Sequence, residues 1–158
     1  MRFRHLVAAV SAAVAVAAAA RARVLLTQEE ALRLAFPGAK VEAKTAYLTD
    51  SQRRDAKALS GEEEPPSALV RYYAATKDGR AAGEAYFDTH VVRTMTETVM
   101  IVVAPDARIV RVEVLSFSEP EEYLPRERWY EQFRGRPLDD ELSLKRAIRW
   151  LASHGSSA

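Results

Sequence analysis

Side chains that could bind a polar, planar ligand are concentrated in two stretches of the chain. The stretch "YFDTHVVRTMTET" combines hydroxyl, acidic, imidazole and guanidinium groups: Asp88, Thr89, His90, Arg93, Thr94, Thr96 and Thr98. The stretch "SFSEPEEYLPRERW" adds Glu119, Pro120, Tyr123, Leu124 and Trp129. Hydroxyls and an arginine can hold a phosphate or the polar edge of a ring, and aromatic or apolar groups can cover its faces. Threonines also favour strands, and aromatic residues commonly pack a helix against a sheet, so composition alone leaves both interpretations open.

Several other kinds of site have no support in the residues. The histidines are His5, His90 and His154 and there is no cysteine, which excludes a His/Cys metal cluster. The chain contains no G-x-S-x-G nucleophile motif and no G-x-G-x-x-G or Walker-type loop. His90 could act as the base of an exported hydrolase, or it could be a histidine whose hydrogen bonds are satisfied at a sheet edge.

The first 22 residues have the pattern of a secretory signal peptide. Arg2 and Arg4 precede an unbroken run of small or apolar residues from Leu6 to Ala20, which is shorter than the ~20 residues of a transmembrane helix. Ala20-Arg21-Ala22 matches an A-x-A cleavage site. We therefore expect an exported protein, in the periplasm or on the outer face of the cytoplasmic membrane; an uncleaved membrane anchor is the alternative.

Charge makes nucleic acid an unexpected partner. Removing residues 1–22 takes three arginines and no acid from the 23 basic and 22 acidic residues, which leaves a net charge of −2. No basic stripe is interleaved with aromatic residues, as nucleic-acid binding would require. The remaining chain has the length of one domain, and it must fold without disulfides.

The spacing of apolar residues predicts an α+β fold. "TQEEALRLAFPG" and "TDSQRRDAKALSG" have capping-box starts and glycine ends, as helices do. Asp78-Gly79 and Pro105-Asp106-Ala107 separate alternating apolar runs, which predicts two hairpins. We expect an antiparallel sheet of about four to five strands with flanking helices, in which "VMIVV" lies at the centre and the strand "RIVRVEVLSF" turns Val110, Val112 and Val114 to one apolar face. A helix carrying Trp129, Tyr130 and Phe133 and a last helix, "DDELSLKRAIRWL", follow.

The segment from "GEAYFDTHVVRTMTETVMIVVAPDARIVRVEVLSF" through "SEPEEYLPRERWYEQFRGRPL" resembles the FMN-binding domain family. Its best-known members are the flavin-carrying subunits of the sodium-pumping NADH:quinone oxidoreductase and of the Rnf electron-transfer complex, and the closer similarity is to small exported bacterial members. The resemblance covers about residues 24–149, which we assign as the domain 23–149. It consists in the order of a Gly-aromatic strand, a hairpin with a Pro-Asp turn, a Glu-Pro loop and a "QF-x-G" helix end.

The resemblance implies FMN binding and electron transfer outside the cytoplasm, by an electron carrier rather than an enzyme that turns over a substrate. It also implies redox partner proteins, including a membrane electron-transfer complex, and in intact relatives a flavin transferase that attaches the cofactor. By position, Glu119-Pro120 corresponds to the family's Glu-Thr-Pro-Gly loop. Thr89, Thr94, Tyr123 and Leu124 are further candidate flavin contacts, chosen by residue type and neighbourhood. A periplasmic interaction or structural module without a cofactor is the alternative.

One feature of the family is missing. The Gly-Ala-Thr or Gly-Ala-Ser motif that accepts the flavin is absent from the chain, and the similarity stops at Ile148-Arg149. We therefore expect FMN to be held non-covalently or not at all. We also predict that residues 150–158 are an atypical tail produced by truncation or a frameshift, which reading the DNA in all three frames would test.

Overall fold

A computed structural model describes residues 23–60, 67–139 and 142. Its core is one six-stranded antiparallel sheet in the order β1-β6-β5-β4-β3-β2. The strands are β1 Arg23–Val24, β2 Lys40–Tyr47, β3 Leu69–Lys77, β4 Arg80–Val92, β5 Met95–Val103 and β6 Ile109–Phe117. The helices are α1 Gln28–Ala35, α2 Asp50–Ser60 and the one-turn α3 Glu127–Tyr130, with 3-10 turns at Glu121–Tyr123 and Glu131–Phe133.

The predicted fold class is confirmed, with six strands instead of four to five. The additional strand is β1, which pairs Arg23 with Phe117 and Val24 with Ser116. Two residues are too few to show an alternating pattern in sequence. Residues 61–66, the predicted signal peptide, the tail 150–158 and nearly all of the predicted last helix lie outside the described residues.

Turn residues join the four long strands as a meander. Asp78 and Gly79 both have positive φ, at 51° and 73°, and connect β3 to β4 as predicted. Ala107, with φ 61°, completes the predicted turn between β5 and β6. A third tight turn, at Arg93-Thr94, joins β4 to β5 across the pair Val92 and Met95. Every neighbouring pair in β3–β6 is therefore made by adjacent segments of the chain.

Helix α1 covers one face of the sheet. Thr27 and Glu30 form the predicted capping box, in which Oε2 of Glu30 accepts from the Thr27 amide at 2.8 Å. Its buried side packs on the centre of the sheet, with a cluster formed by Ala31, Phe36, Ala75, Ala85, Met100, Val102 and Leu115. Strand β5 is central, as its apolar sequence predicts. The opposite face has a smaller cluster, in which Leu124 and Tyr130 pack against Val99, Val114 and Phe117.

The face assignment predicted for β6 holds for Val112 and Val114, which lie opposite Ile101 and Val99, and fails at Val110. The register between β5 and β6 shifts twice, between Val102 and Val103 and between Thr98 and Val99. Each shift places an additional residue in β6, and a β-bulge changes the side to which the following residues point. Val110 is the additional residue at the first shift and is 42% exposed, and Leu115 is the additional residue at the second.

Candidate functional site

Glu119, which was predicted as a flavin contact, is hydrogen-bonded to the turn between β4 and β5. Its Oε1 accepts hydrogen bonds from the amides of Thr94 at 2.7 Å and Met95 at 2.9 Å, and from Oγ1 of Thr94 at 2.9 Å. These donors, the Thr94 amide first, lower the pKa of the Glu119 carboxyl. Two candidate ligand contacts, Thr94 and Glu119, are thus brought together, but they bind each other.

The residues that follow Glu119 form a short 3-10 turn against the same hairpin. The amide of Tyr123 donates to the carbonyl of Pro120 at 2.9 Å, and that of Leu124 donates to Glu121 at 3.0 Å. The Arg93 guanidinium lies 3.9 Å from the centre of the Tyr123 ring, a cation–π contact. This turn fixes the position of Leu124, whose side chain packs on the sheet.

Two adjoining clefts run along the outer edge of β6, and we call them together the edge trough. The larger, about 230 Å³, is lined by Leu25, Val110, Arg111, Val112, Glu113, Val114, Leu124, Pro125, Glu127, Tyr130, Glu131 and Arg134. The smaller, about 210 Å³, is lined by Arg23, Leu25, Phe117, Ser118, Glu119, Glu121 and Leu124. They share Leu25 and Leu124, so these two leucines stand at the middle of the trough.

The floor of the edge trough is a strand edge whose backbone has no described partner. Below the trough, Ile109 is paired outward with Gly135 and Arg136; above it, Leu115 accepts from Leu25 at 2.8 Å. Between Ile109 and Leu115, no backbone hydrogen bond from the described residues reaches this edge of β6. The trough therefore offers backbone N–H and C=O groups beside apolar side chains.

Acidic residues outnumber basic ones along the trough. Each lining arginine has a glutamate partner: Arg23 with Glu121 at 2.8 Å, Arg111 with Glu113 at 3.7 Å and Arg134 with Glu131 at 2.9 Å. The hydrogen bond from Arg134 lowers the pKa of the Glu131 carboxyl. Glu119 and Glu127 add two further carboxyl groups. An anion in the trough would have to compete with these carboxylates for the arginines.

The six predicted contacts are thus partly brought together. Glu119 and Leu124 line the trough, and Thr94, Pro120 and Tyr123 support the turn beside it. Thr89 is placed elsewhere: its hydroxyl is 2.9 Å from that of Thr98, and it lines neither cleft.

Sequence reasoning missed a second polar array, which begins at Glu97. Glu97 is 6% exposed, the only buried charged side chain among the described residues. The Tyr130 hydroxyl donates to its Oε1 at 3.1 Å, and Nε2 of His90 lies 3.4 Å from its Oε2. Nδ1 of His90 is 2.8 Å from Asp88. The available signal was a single acidic residue in a strand whose other residues predict a place at the centre of the sheet.

This array bears on the two interpretations of His90. Both ring nitrogens have a carboxylate neighbour, so the geometry favours a satisfied histidine over a base poised for a substrate. Burial first, and then the Glu97 carboxylate, raise the pKa of the Tyr130 hydroxyl well above its usual range. Tyr130 therefore stays protonated and remains a donor to Glu97 while its ring lines the trough.

Comparisons with protein-family models, with curated proteins and with solved structures found no match for the chain. Within the part of the chain that the structure describes, no helix has the length and apolar character needed to cross a membrane.

Proposed function

We propose that the chain is an exported FMN-binding flavoprotein domain that serves as an electron carrier, with the flavin ring in the edge trough. Two observations support the proposal: the family resemblance over residues 24–149, and the position of the trough against the Glu119–Leu124 turn, where the resemblance puts the family's loop. Flavin, when bound, would supply the redox chemistry. The protein would exchange electrons with redox partner proteins at the outer face of the membrane.

The described residues suit the ring of the cofactor. An isoalloxazine is planar and apolar on both faces, and its pyrimidine edge has alternating hydrogen-bond acceptors and a donor. Leu25 and Leu124 supply apolar contact at the middle of the trough, and Tyr130 supplies an aromatic wall. The edge of β6, which has no backbone partner among the described residues between Ile109 and Leu115, supplies N–H and C=O groups for the polar edge.

The same lining does not suit the phosphate. Its three arginines are already paired, and it contains five glutamates that would repel a dianion: Glu113, Glu119, Glu121, Glu127 and Glu131. With no Gly-Ala-Thr or Gly-Ala-Ser motif in the chain, covalent attachment is not expected. The proposal is therefore of non-covalent binding in which the ring provides most of the affinity.

The test is expression of the whole chain, with its leader, in a bacterial host together with a flavin transferase. The purified protein is expected to carry flavin absorbance that denaturation releases into the filtrate, since the bond is non-covalent. Flavin that stays with the denatured chain would contradict non-covalent binding. The absence of flavin both from the purified protein and after incubation with excess FMN would contradict the function itself.

A second candidate function is a periplasmic interaction module without a cofactor. The observation that favours it is that the sheet has two edges with unpaired backbone among the described residues, at β2 and at β6. Such edges are the surfaces to which another strand can add. Saturable FMN binding with a measurable reduction potential would remove this candidate.

A further inference from the structure

We propose that two copies of this chain associate by antiparallel pairing of their β2 strands, about a two-fold axis at Ala43. The inference is independent of flavin binding, because β2 and the edge trough lie at opposite edges of the sheet. It concerns an interaction surface whose partner is a second copy of the chain.

Strand β2 is a long and regular edge. It pairs with β3 alone among the described residues, through eight consecutive pairs without a register shift. Its sequence, "KVEAKTAY", contains no proline, and six of its eight residues are exposed. The terminal Tyr47 is 76% exposed. Strand edges of this length are usually interrupted or covered in monomeric proteins.

The backbone direction shows which residues could pair with a new strand. The Leu48 amide donates to the Ala68 carbonyl at 2.7 Å, so the backbone of Leu48 points toward β3. Backbone groups alternate along an antiparallel strand, and the register is unbroken back to Lys40. The odd-numbered residues Val41, Ala43, Thr45 and Tyr47 therefore direct N–H and C=O groups outward.

Charge and the length of strand overlap together select one register among the possible two-fold pairings. A two-fold axis at Ala43 places Glu42 of each copy opposite Lys44 of the other, which gives two pairs of opposite charge. An axis at Glu42 would place two glutamates opposite each other and Lys40 opposite Lys44, and an axis at Lys44 would place two lysines opposite each other. An axis at Val41 would place Lys40 opposite Glu42, but it would pair only three residues of β2, against seven for the axis at Ala43. Like charges directly opposite are destabilising and opposite charges are favourable.

The Ala43 register also pairs the outward backbone groups correctly. It sets Ala43 against Ala43 of the second copy, and Val41 against Thr45, so that residues with outward amides and carbonyls face each other. Lys40, which forms an ion pair of 2.6 Å with Glu42 of its own strand, faces the uncharged Ala46 in this register. A single pair of strands buries less than a stable interface of about 1,200 Å², so the dimer is expected to be weak and to depend on concentration.

Charge reversal tests the register. Sedimentation equilibrium of the full chain should show a monomer–dimer equilibrium at high protein concentration and low salt. Glu42→Lys and Lys44→Glu should each weaken dimerisation about tenfold, because each turns two attractive pairs into repulsive ones. The double variant should restore the wild-type constant. An unchanged dimer in both single variants, or a monomer at every concentration, would overturn the proposal.

Crosslinking supplies a second test that does not depend on the strength of the dimer. The chain has no cysteine, so Ala43→Cys introduces one thiol, and facing residues of a hydrogen-bonded pair have Cα atoms ~5.5 Å apart, within disulfide range. Mild oxidation should yield a covalent dimer. Thr45→Cys is the matched control, because in this register its thiol faces Val41 and should crosslink far less. Equal crosslinking of the two variants, or none with Ala43→Cys, would contradict the assigned axis.

Discussion

Tyr130 donates a hydrogen bond of 3.1 Å to Oε1 of Glu97 and thereby joins the wall of the edge trough to a buried carboxylate of the sheet. Glu97 lies in β5 and Tyr130 in α3, so the bond links the helical side of the trough to one of the two central strands of the sheet. A buried carboxylate that loses a donor is costly. We therefore expect this hydrogen bond to hold the short helix α3 in place against the sheet.

Tyr130→Phe should lower the free energy of unfolding by about 1–3 kcal/mol, because Glu97 would keep its burial and lose a hydrogen bond. Urea unfolding followed by circular dichroism measures the change. Tyr47→Phe is the matched control: its ring is 76% exposed, and the same atom is removed without effect on the core. Equal stability of the two variants would show that the Tyr130–Glu97 bond does not hold α3.

The hydrogen bonds that Glu119 accepts predict that the stability of the fold depends on pH. Its folded pKa is lowered by the Thr94 and Met95 donors, so its contribution to stability is complete above the unfolded value of ~4.3. That contribution is lost as pH falls through the lower folded pKa. Glu119→Gln should therefore be less stable than wild type at pH 7, and the difference should shrink below pH ~4. Urea midpoints at several pH values measure it; a difference that does not change with pH would contradict the prediction.

Gly83 occupies a position that only glycine can fill. Its φ is +140°, and a Cβ atom would lie 2.7 Å from the Val103 carbonyl oxygen and 3.2 Å from Cε1 of Phe36. Gly83→Ala should lower the free energy of unfolding by about 1–3 kcal/mol. Gly79→Ala is the control, because its φ is +73° and nothing lies within 4 Å of the added Cβ. A thermal midpoint lowered equally in both variants would mean that backbone strain alone, and not the collision, sets the cost at Gly83.

The regular part of the fold could be predicted because its signals are local. The Thr27–Glu30 capping box and the Asp78-Gly79 turn depend on neighbouring residues, and both are present as expected. The bulges of β6 could not be predicted, since they arise from its pairing with β5 and have no signature in an unbroken run of alternating residues. The helix expected around Trp129 is shorter than its pattern suggested, because it changes to a 3-10 turn at Glu131.

The segments that form the candidate site could be predicted from the sequence, but the contacts that each residue makes there could not. Glu119 and Leu124 do line a cleft, but the sequence could not show that Glu119 is bound to Thr94 or that Thr89 faces Thr98. Such partners are set by long-range packing: Glu119 is separated from Thr94 by 25 positions. Glu97 was overlooked because a single acidic residue in a strand has no periodic signal. Its hydrogen-bond partner Tyr130 comes from a later helix, so the contact is not visible in the sequence.

Titration of the flavin-free chain with FMN, followed by flavin fluorescence, tests whether flavin binds in the edge trough as proposed. We expect saturable binding, with an affinity for riboflavin within about threefold of that for FMN. Leu124→Asp should abolish binding, and Val91→Asp, at a site that is 63% exposed and outside the trough, should leave it unchanged. Thermal unfolding confirms that both variants are folded. Binding that survives Leu124→Asp, or no saturable binding by the wild-type chain, would contradict flavin binding in the trough.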